Sequence, residues 1–340
     1  MTTGDGSDGV AGRDIDPDTA AFLERMVRDA AGAPADPTLA QRREGLKAAV
    51  AAYGPDPVSV AGIEDRHIKG PDGPVAIRIY QPPRPEGSKA RVPLLLHIHG
   101  GGWALGDPDG YAPVVRNYCV AGGCVVVDVD YRRAPEHKHP AALRDCLAAL
   151  AWARRNARKL GADASRIVVT GDSAGGYLAA GVCQQTPVPV ALQVLVYPVT
   201  SASRKTNFVS RRELGDGRYF LREFDILRAE REYFRTGQNR ERAPASPLLA
   251  SARVLRGQPR TLVVTATLDP LKDEGNAYAA ALIAAGVDCE LMQVEGTIHG
   301  FVLFAGQIAA GRALITEIGR QIRSLEPVTR HPLRQFWLGG

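Results

Sequence analysis

The chain has 340 residues, of which 45% are hydrophobic and 23% charged. This composition is typical of a globular protein with a sizeable core, and it excludes a disordered chain, a collagen-like repeat and a small disulfide-stapled scaffold. The net charge of +5, from 42 basic and 37 acidic residues, is a mild surplus on a long chain. It does not indicate a nucleic-acid partner.

The five cysteines are odd in number, and their spacing fits no metal-ligand pattern. We therefore expect no metal site, no disulfide framework and a reducing, cytoplasmic location. The N-terminal residues lack the basic and apolar regions of a signal peptide. The longest apolar runs fall short of the roughly 18 residues that cross a bilayer, so no membrane span is expected.

The first elements in chain order are helical. Residues 1–13 are small, polar and glycine-rich, which predicts disorder. Asp16 followed by Pro17 is a helix-start signal, and a second helix is predicted over about Pro37–Ala52. The first strand signals come later, at Val58–Ile63 and Val75–Tyr80.

From Val92 onward, apolar runs alternate with helical stretches. Runs rich in Val, Leu and Ile predict strands buried on both faces, as in a parallel sheet. They are Val92–Ile98, Cys124–Val129, Ile167–Thr170, Val190–Val196 and Leu262–Thr267. The predicted helices are Tyr111–Ala121, Ala141–Leu160, Gly175–Cys183, Glu274–Ala285 and Gln307–Ser324. Repeated alternation of strand and helix indicates a doubly wound α/β sheet.

One long segment interrupts this alternation. About sixty residues between Thr200 and Thr261 contain no strand-like run, and an inserted helical element fits better than a bare loop of that length. Charge is concentrated there: Arg204 to Arg242 holds eleven Lys or Arg and seven Asp or Glu, a surplus of four.

A Gly-Asp-Ser-Ala-Gly-Gly segment follows the run Ile167–Thr170 and precedes a helix. Strand, tight turn and helix is the context of a nucleophile elbow, with Ser173 as the candidate nucleophile. The flanking glycines remove side chains that would clash in a sharp turn. The turn leaves the Ala174 N–H near a helix N-terminus, where it can face a developing oxyanion. Taken alone, this motif is equally well explained as an ordinary strand-to-helix turn.

A second glycine motif, His99-Gly-Gly-Gly-Trp103, directly ends the run Val92–Ile98. Three consecutive glycines leave backbone N–H groups open to a ligand, and lipases and esterases use such a segment for the other half of the oxyanion hole. We assign Gly101 and Gly102 as oxyanion donors beside Ala174. His99 is expected to hold the loop. The two motifs in this order favour a serine hydrolase over a flexible glycine loop.

A serine hydroxyl needs a base and an acid that orients the base. In hydrolases with a nucleophile elbow, the acid and then the histidine follow the serine along the chain. His299 lies between Ser173 and the C-terminal tail, after the strand-like stretch Cys289–Val294. Asp269 comes directly after the run that ends at Thr267. The predicted catalytic residues are Ser173, Asp269 and His299, while Asp273 and Glu274 are expected in the first turn of the next helix.

These motifs together resemble those of the bacterial hormone-sensitive-lipase-like carboxylesterases, the family IV esterases of the α/β-hydrolase fold. The resemblance covers roughly Asp16 to Glu326. It implies the roles just given for the catalytic residues and a mostly parallel, twisted sheet flanked by helices. It also implies one domain over residues 14–326 with a helical cap. We use "the cap" for residues of about 14–55 and 201–250, and residues 327–340 are expected to form a C-terminal extension.

The resemblance also implies a function, a serine carboxylic-ester hydrolase that acts on small to medium acyl esters without a cofactor. Trp103, Tyr197 and Phe301 are predicted to line the substrate pocket, and a homodimer formed through a sheet edge is expected. Two alternatives stay open. One is an amide hydrolase, or a deacetylase of a specialised metabolite, that uses the same triad. The other is a non-catalytic small-molecule receptor, although such relatives lose the triad histidine that this chain keeps as His299.

Overall fold

Eight strands pair into one sheet in the computed structural model, which describes residues 14–32, 34 and 36–328. Residues 1–13, which are predicted to be disordered, and residues 329–340 of the extension predicted over 327–340 lie outside the described residues. The strands are β1 Gly62–Gly70, β2 Gly73–Gln81, β3 Val92–Ile98, β4 Val125–Asp130, β5 Ala162–Asp172, β6 Leu192–Val196, β7 Thr261–Leu268 and β8 Cys289–Ile298.

The strand order is β1-β2-β4-β3-β5-β6-β7-β8. Strands β3 to β8 pair in parallel, whereas β2 pairs antiparallel with both β1 and β4. This arrangement confirms the predicted mostly parallel α/β sheet. The prediction of a strand at Val58–Ile63 is wrong in position, because β1 begins only at Gly62. Strand β1 is an edge strand with largely exposed side chains, so it lacks the apolar pattern that reveals the inner strands.

Helices cover the sheet and fill the long connections. They are α1 Pro17–Asp29, α2 Leu39–Tyr53, α3 Pro108–Gly122, α4 Ala141–Asn156, α5 Ala174–Gln185, α6 Val209–Leu214, α7 Glu223–Tyr233, α8 Ala252–Arg256, α9 Lys272–Ala284 and α10 Ala309–Arg323. The predicted helix start at Asp16 is confirmed, since its side chain accepts hydrogen bonds from the N–H groups of Asp18 and Thr19. Helices α6 to α8 confirm the helical insertion after Thr200.

The core lies on both faces of the sheet, because side chains alternate along each inner strand. In β3, Leu94 and Leu96 pack on the face covered by α4, α5 and α9, while Leu95 packs on the face covered by α3 and α10. All three side chains are fully buried. Among the described residues, no helix is both long enough and apolar enough to cross a membrane. The packed sheet gives the loops at its carboxyl edge a rigid base.

Candidate active site

Ser173 lies in the sharp turn between β5 and α5. Its backbone has φ 55° and ψ −120°, a conformation that non-glycine residues rarely adopt. The turn requires glycine beside the serine: a Cβ placed on Gly175 would lie 2.0 Å from the carbonyl oxygen of Ile98. The helix therefore approaches β3 as closely as backbone allows, and Ser173 is left half-buried at the carboxyl edge of the sheet.

Three side chains from separate loops meet at this edge. Asp269 directly follows β7, and His299 directly follows β8. His299 Nε2 lies 2.9 Å from Ser173 Oγ, and His299 Nδ1 lies 2.8 Å from Asp269 Oδ2. Asp269 is fully buried, and its other carboxylate oxygen accepts the Leu271 N–H at 2.8 Å. A proton on Nδ1, facing the carboxylate, leaves Nε2 free to accept the Ser173 O–H.

The glycine loop after β3 faces the same space. Gly101 has φ +97°, and a Cβ there would lie 2.7 Å from the carbonyl oxygen of Leu105, so the loop requires glycine at this position. Gly101 and Gly102 line one cavity together with Ser173 and His299. Ala174 is buried as the first residue of α5, where its N–H has no partner within the helix.

Buried groups beneath the glycine loop hold it in place. The carboxylate of Asp172 accepts the Gly100 N–H at 3.0 Å and the Tyr111 O–H at 3.1 Å, and burial raises the pKa of this carboxyl. His99 stacks on Tyr131 with ring centroids 4.2 Å apart. Burial lowers the pKa of His99 to about 4, so its ring is neutral at pH 7 and donates Nδ1–H to the Gly100 carbonyl at 2.9 Å. This is the loop-holding role expected of His99.

The cap also contacts this loop, through a residue that no sequence motif marks. Arg43 of α2 donates Nε–H to the carbonyl of Ala104 at 2.9 Å and Nη2–H to the carbonyl of Ala134 at 3.2 Å. Its guanidinium also forms a two-bond ion pair with Glu136, at 2.8 Å each. One arginine thus connects a cap helix to the glycine loop, at Ala104, and to the loop after β4, at Ala134.

Above Ser173 is a cavity of about 210 Å³ whose wall is mostly apolar. Both α2 and α7 contribute to it, so two stretches of the cap face the same space. No sequence motif marks most of the residues of its apolar wall. They include Leu46, Leu105, Val199, Phe220, Leu221, Ile226, Leu271, Leu303 and Phe304.

Of the three residues predicted to line the pocket, Trp103 and Tyr197 do so. Trp103 stacks on Tyr233 of α7 with ring centroids 4.5 Å apart, and the Tyr197 ring lies 4.6 Å from the His299 ring. Phe301 is not among the described residues of the cavity wall. The turn after His299 directs it into the core, where it is fully buried and packs edge-on against Tyr197.

Arginines of the cap are largely engaged in ion pairs. Arg42 of α2 binds Glu232 of α7, and Arg228 binds Asp36, with closest approaches of 2.5 and 2.8 Å. Arg211 lies between two buried carboxylates, those of Glu274 and Glu230, and Arg240 binds Glu230 as well. Glu274 and Asp36 lie outside the segment Arg204–Arg242, so these two carboxylates offset part of its positive surplus. The ion pairs also connect the cap to itself and to the core.

Comparisons with known proteins agree with this geometry. The sequence profile of a family described as the α/β-hydrolase fold matches residues 95–303. The carboxylesterase NlhH of Mycobacterium tuberculosis is 39% identical over 251 residues, which cover 72% of this chain and 76% of the relative. The esterase LipI of the same organism is 36% identical over 253 residues, covering 73% and 77%.

Solved structures give the same result. The hyperthermophilic esterase of the archaeon Pyrobaculum calidifontis superposes with a TM-score of 0.81 at 34% identity, covering 92% of this chain and 98% of that one. Identity at this level over most of both chains shows common family membership as well as a common fold. The chain belongs to the hormone-sensitive-lipase-like carboxylesterases of the α/β-hydrolase fold, and it is a carboxylic ester hydrolase.

Proposed function

We propose that Ser173, His299 and Asp269 hydrolyse carboxylic esters through an acyl-enzyme. Ser173 Oγ attacks the ester carbonyl carbon while His299 Nε2 takes the hydroxyl proton. Collapse of the tetrahedral intermediate breaks the bond to the alcohol oxygen, which receives that proton from His299. Water then attacks the acyl-enzyme by the same route, and the products are one carboxylic acid and one alcohol.

The observation that carries this proposal is the continuous hydrogen-bonded chain from Ser173 Oγ through His299 to Asp269, with distances of 2.9 and 2.8 Å. The buried carboxylate of Asp269 stabilises the imidazolium that forms during attack. The N–H groups of Gly101, Gly102 and Ala174 are the proposed oxyanion donors. Loss of one such donor typically costs ~3 kcal/mol of transition-state stabilisation.

The size and polarity of the cavity support small to medium acyl esters as substrates. About 210 Å³ of mostly apolar space suits a neutral ester, and the arginine side chains of its wall already have ion-pair partners, as Arg42 has in Glu232 and Arg228 in Asp36. We propose that Trp103 and Tyr197 contact the substrate there. No cofactor is needed for this reaction.

The proposed assembly is one domain over residues 14–326 with the cap above the catalytic edge. The contribution of α2 and α7 to one cavity supports it. A homodimer formed through a sheet edge is supported by β8, an edge strand with several exposed side chains. A cytoplasmic location is supported by the cysteines, all five of which are free thiols. Light scattering of the purified protein tests the dimer.

Replacing the nucleophile tests the proposed chemistry. Ser173→Ala should reduce turnover of p-nitrophenyl butyrate to a trace while the thermal midpoint stays near that of the wild type, because the change removes only the attacking oxygen. Ser88→Ala is the matched control, since Ser88 lies in an exposed loop and should leave turnover unchanged. Substantial activity in the Ser173→Ala protein would refute the assignment of the nucleophile.

A further inference from the structure

The turn between α6 and α7 holds an aromatic residue in an unusual backbone conformation. Asp216 and Arg222 form an antiparallel bridge across this turn. Inside it, the Leu221 N–H donates to the Tyr219 carbonyl at 3.0 Å, and Phe220 between them has φ 76°. A hydrogen bond two residues back over a positive φ is the classic γ-turn, which is rare and strained. A bulky side chain is seldom found there.

This turn places the Phe220 ring in the wall of the catalytic cavity. The ring packs edge-on against Phe304, with centroids 5.4 Å apart and planes at 88°. It also lies against Gly300, where an added Cβ would sit 3.4 Å from the Phe220 ring. Phe304 is fixed from behind by Phe22 of α1, at a centroid distance of 4.6 Å. Strained residues concentrate at functional sites, so the backbone strain at Phe220 indicates a functional role for this ring in the cavity.

The catalytic geometry indicates which part of the ester, the acyl group or the alcohol, lies against Phe220 and Phe304. In the proposed mechanism, His299 must give its proton to the departing alcohol oxygen, so the alcohol lies on the His299 side of the carbonyl. Gly300 follows His299 directly, and Phe220 and Phe304 pack around it. Gly101 and Gly102 face the carbonyl oxygen instead. The rings of Phe220 and Phe304 therefore lie where the alcohol leaving group must lie.

We infer that Phe220 and Phe304 form the subsite for the alcohol part of the ester, and that Phe220 sets the size of that subsite. The inference rests on the proposed function. The substrate class is esters of neutral, apolar alcohols, either short alkyl or flat aryl, because two phenyl faces offer dispersion contacts and no charge. The γ-turn holds the ring in a fixed position, so the limit on alcohol size is a sharp one.

Two substrate series separate this subsite from the acyl side. One series keeps p-nitrophenol as the alcohol and lengthens the acyl chain. The other keeps the butyryl group and enlarges the alcohol from methyl to benzyl to naphthylmethyl. For Phe220→Ala we expect kcat/KM for the naphthylmethyl ester, relative to the methyl ester, to rise at least tenfold. The ratio between long and short acyl chains should change less than twofold.

Phe224→Ala is the matched control. Phe224 lies on the same cap, but its side chain is 51% exposed and it is not among the described residues of the cavity wall, so both ratios should stay unchanged. Phe220→Gly fits the positive φ better than alanine does, and it provides the same test if Phe220→Ala folds poorly. Phe220→Leu should fall between the wild type and alanine.

The outcomes distinguish this subsite from the mechanism on which it rests. The subsite is overturned if Phe220→Ala changes the acyl-chain ratio of kcat/KM as much as the alcohol ratio, or if it changes neither ratio. In both cases an inactive Ser173→Ala protein leaves the proposed mechanism intact. Wild-type turnover by the Ser173→Ala protein overturns the proposed mechanism first, and the subsite with it.

Discussion

The sheet and the cap are held in place by different combinations of forces. Along the central strands, side chains such as Leu95 and Val169 are fully buried and apolar, so burial stabilises the sheet. The cap packs on the core through buried apolar side chains such as Tyr233 as well, and it adds ion pairs such as that of Arg211 with Glu274. The sheet positions the reacting atoms, and the cap contributes part of the cavity wall through α2, the turn before α7 and α7 itself. Changes in the two regions should therefore have separable effects.

The largest effect on activity is expected in the core. Gly175→Ala would put a Cβ 2.0 Å from the Ile98 carbonyl oxygen and 2.6 Å from that of His99, so α5 must move away from β3. Ser173 would move with it. A displacement of about 1 Å can cost roughly 100-fold in rate, and we expect at least that loss in kcat/KM, measured with p-nitrophenyl butyrate.

A glycine of the cap provides the matched control. Gly45 lies inside α2, is exposed, and a Cβ there would meet nothing within 4 Å. Gly45→Ala should raise the free energy of unfolding by about 0.5–1 kcal/mol, because alanine has the higher helix propensity, and kcat should stay unchanged. Equal losses of activity in the two variants would contradict the division between core and cap.

The largest effect on stability is expected at the buried ion pair between cap and core. Arg211 is only 14% exposed and its partner Glu274 is fully buried. Arg211→Met leaves that carboxylate in the protein without its cation, and removing one partner of a buried pair costs about 3–5 kcal/mol. Chemical denaturation at pH 8 measures the loss. Arg218→Met is the control, since the Arg218–Asp216 pair is about half exposed and should contribute less than ~1 kcal/mol.

The same pair predicts a pH dependence. Burial raises the pKa of Glu274 above its usual 4.5, whereas Arg211 acts in the opposite direction. A carboxyl with a raised pKa in the folded state loses stability as the pH rises through that pKa. Without Arg211 the pKa rises further, so the stability gap between Arg211→Met and wild type should be smaller at pH 5 than at pH 8. A gap that does not depend on pH would mean that Glu274 stays ionised in the variant.

The elements and the catalytic edge could be predicted from sequence because their signals are local. A run such as Val92–Ile98 reveals β3, since a strand buried on both faces must be apolar throughout. Glycines around Ser173 follow from the close approach of α5 to β3. The order of serine, acid and histidine follows from the fold, and the side chain of His299 lies within hydrogen-bond distance of those of Ser173 and Asp269.

The supporting contacts of the site could not be predicted, because their partners are distant in sequence. Arg43 binds Ala104 and Glu136, which lie 61 and 93 residues away. Glu274 was expected as a residue of the first helical turn, and it is one, but its buried partner Arg211 lies 63 residues before it. Phe301 differs from the pocket prediction for a similar reason, since the packing of the turn after His299 determines where that ring points. The periodicity of apolar residues predicts whether a residue is buried, but it does not predict which distant residue that side chain contacts.

The smallest effect is expected where the cap supports the loop of the proposed oxyanion donors. Arg43→Ala removes the hydrogen bonds to the carbonyls of Ala104 and Ala134, so the loop that carries Gly101 and Gly102 becomes less constrained. We expect kcat to fall about tenfold, or ~1.4 kcal/mol, while KM changes little, because the oxyanion donors act mainly in the transition state. Lys47→Ala one turn later removes an exposed ion pair with Asp109 and should leave kcat unchanged. A rise in KM at constant kcat would instead show that Arg43 acts in substrate binding. The cap would then affect the affinity for the substrate and not the rate of the chemical step.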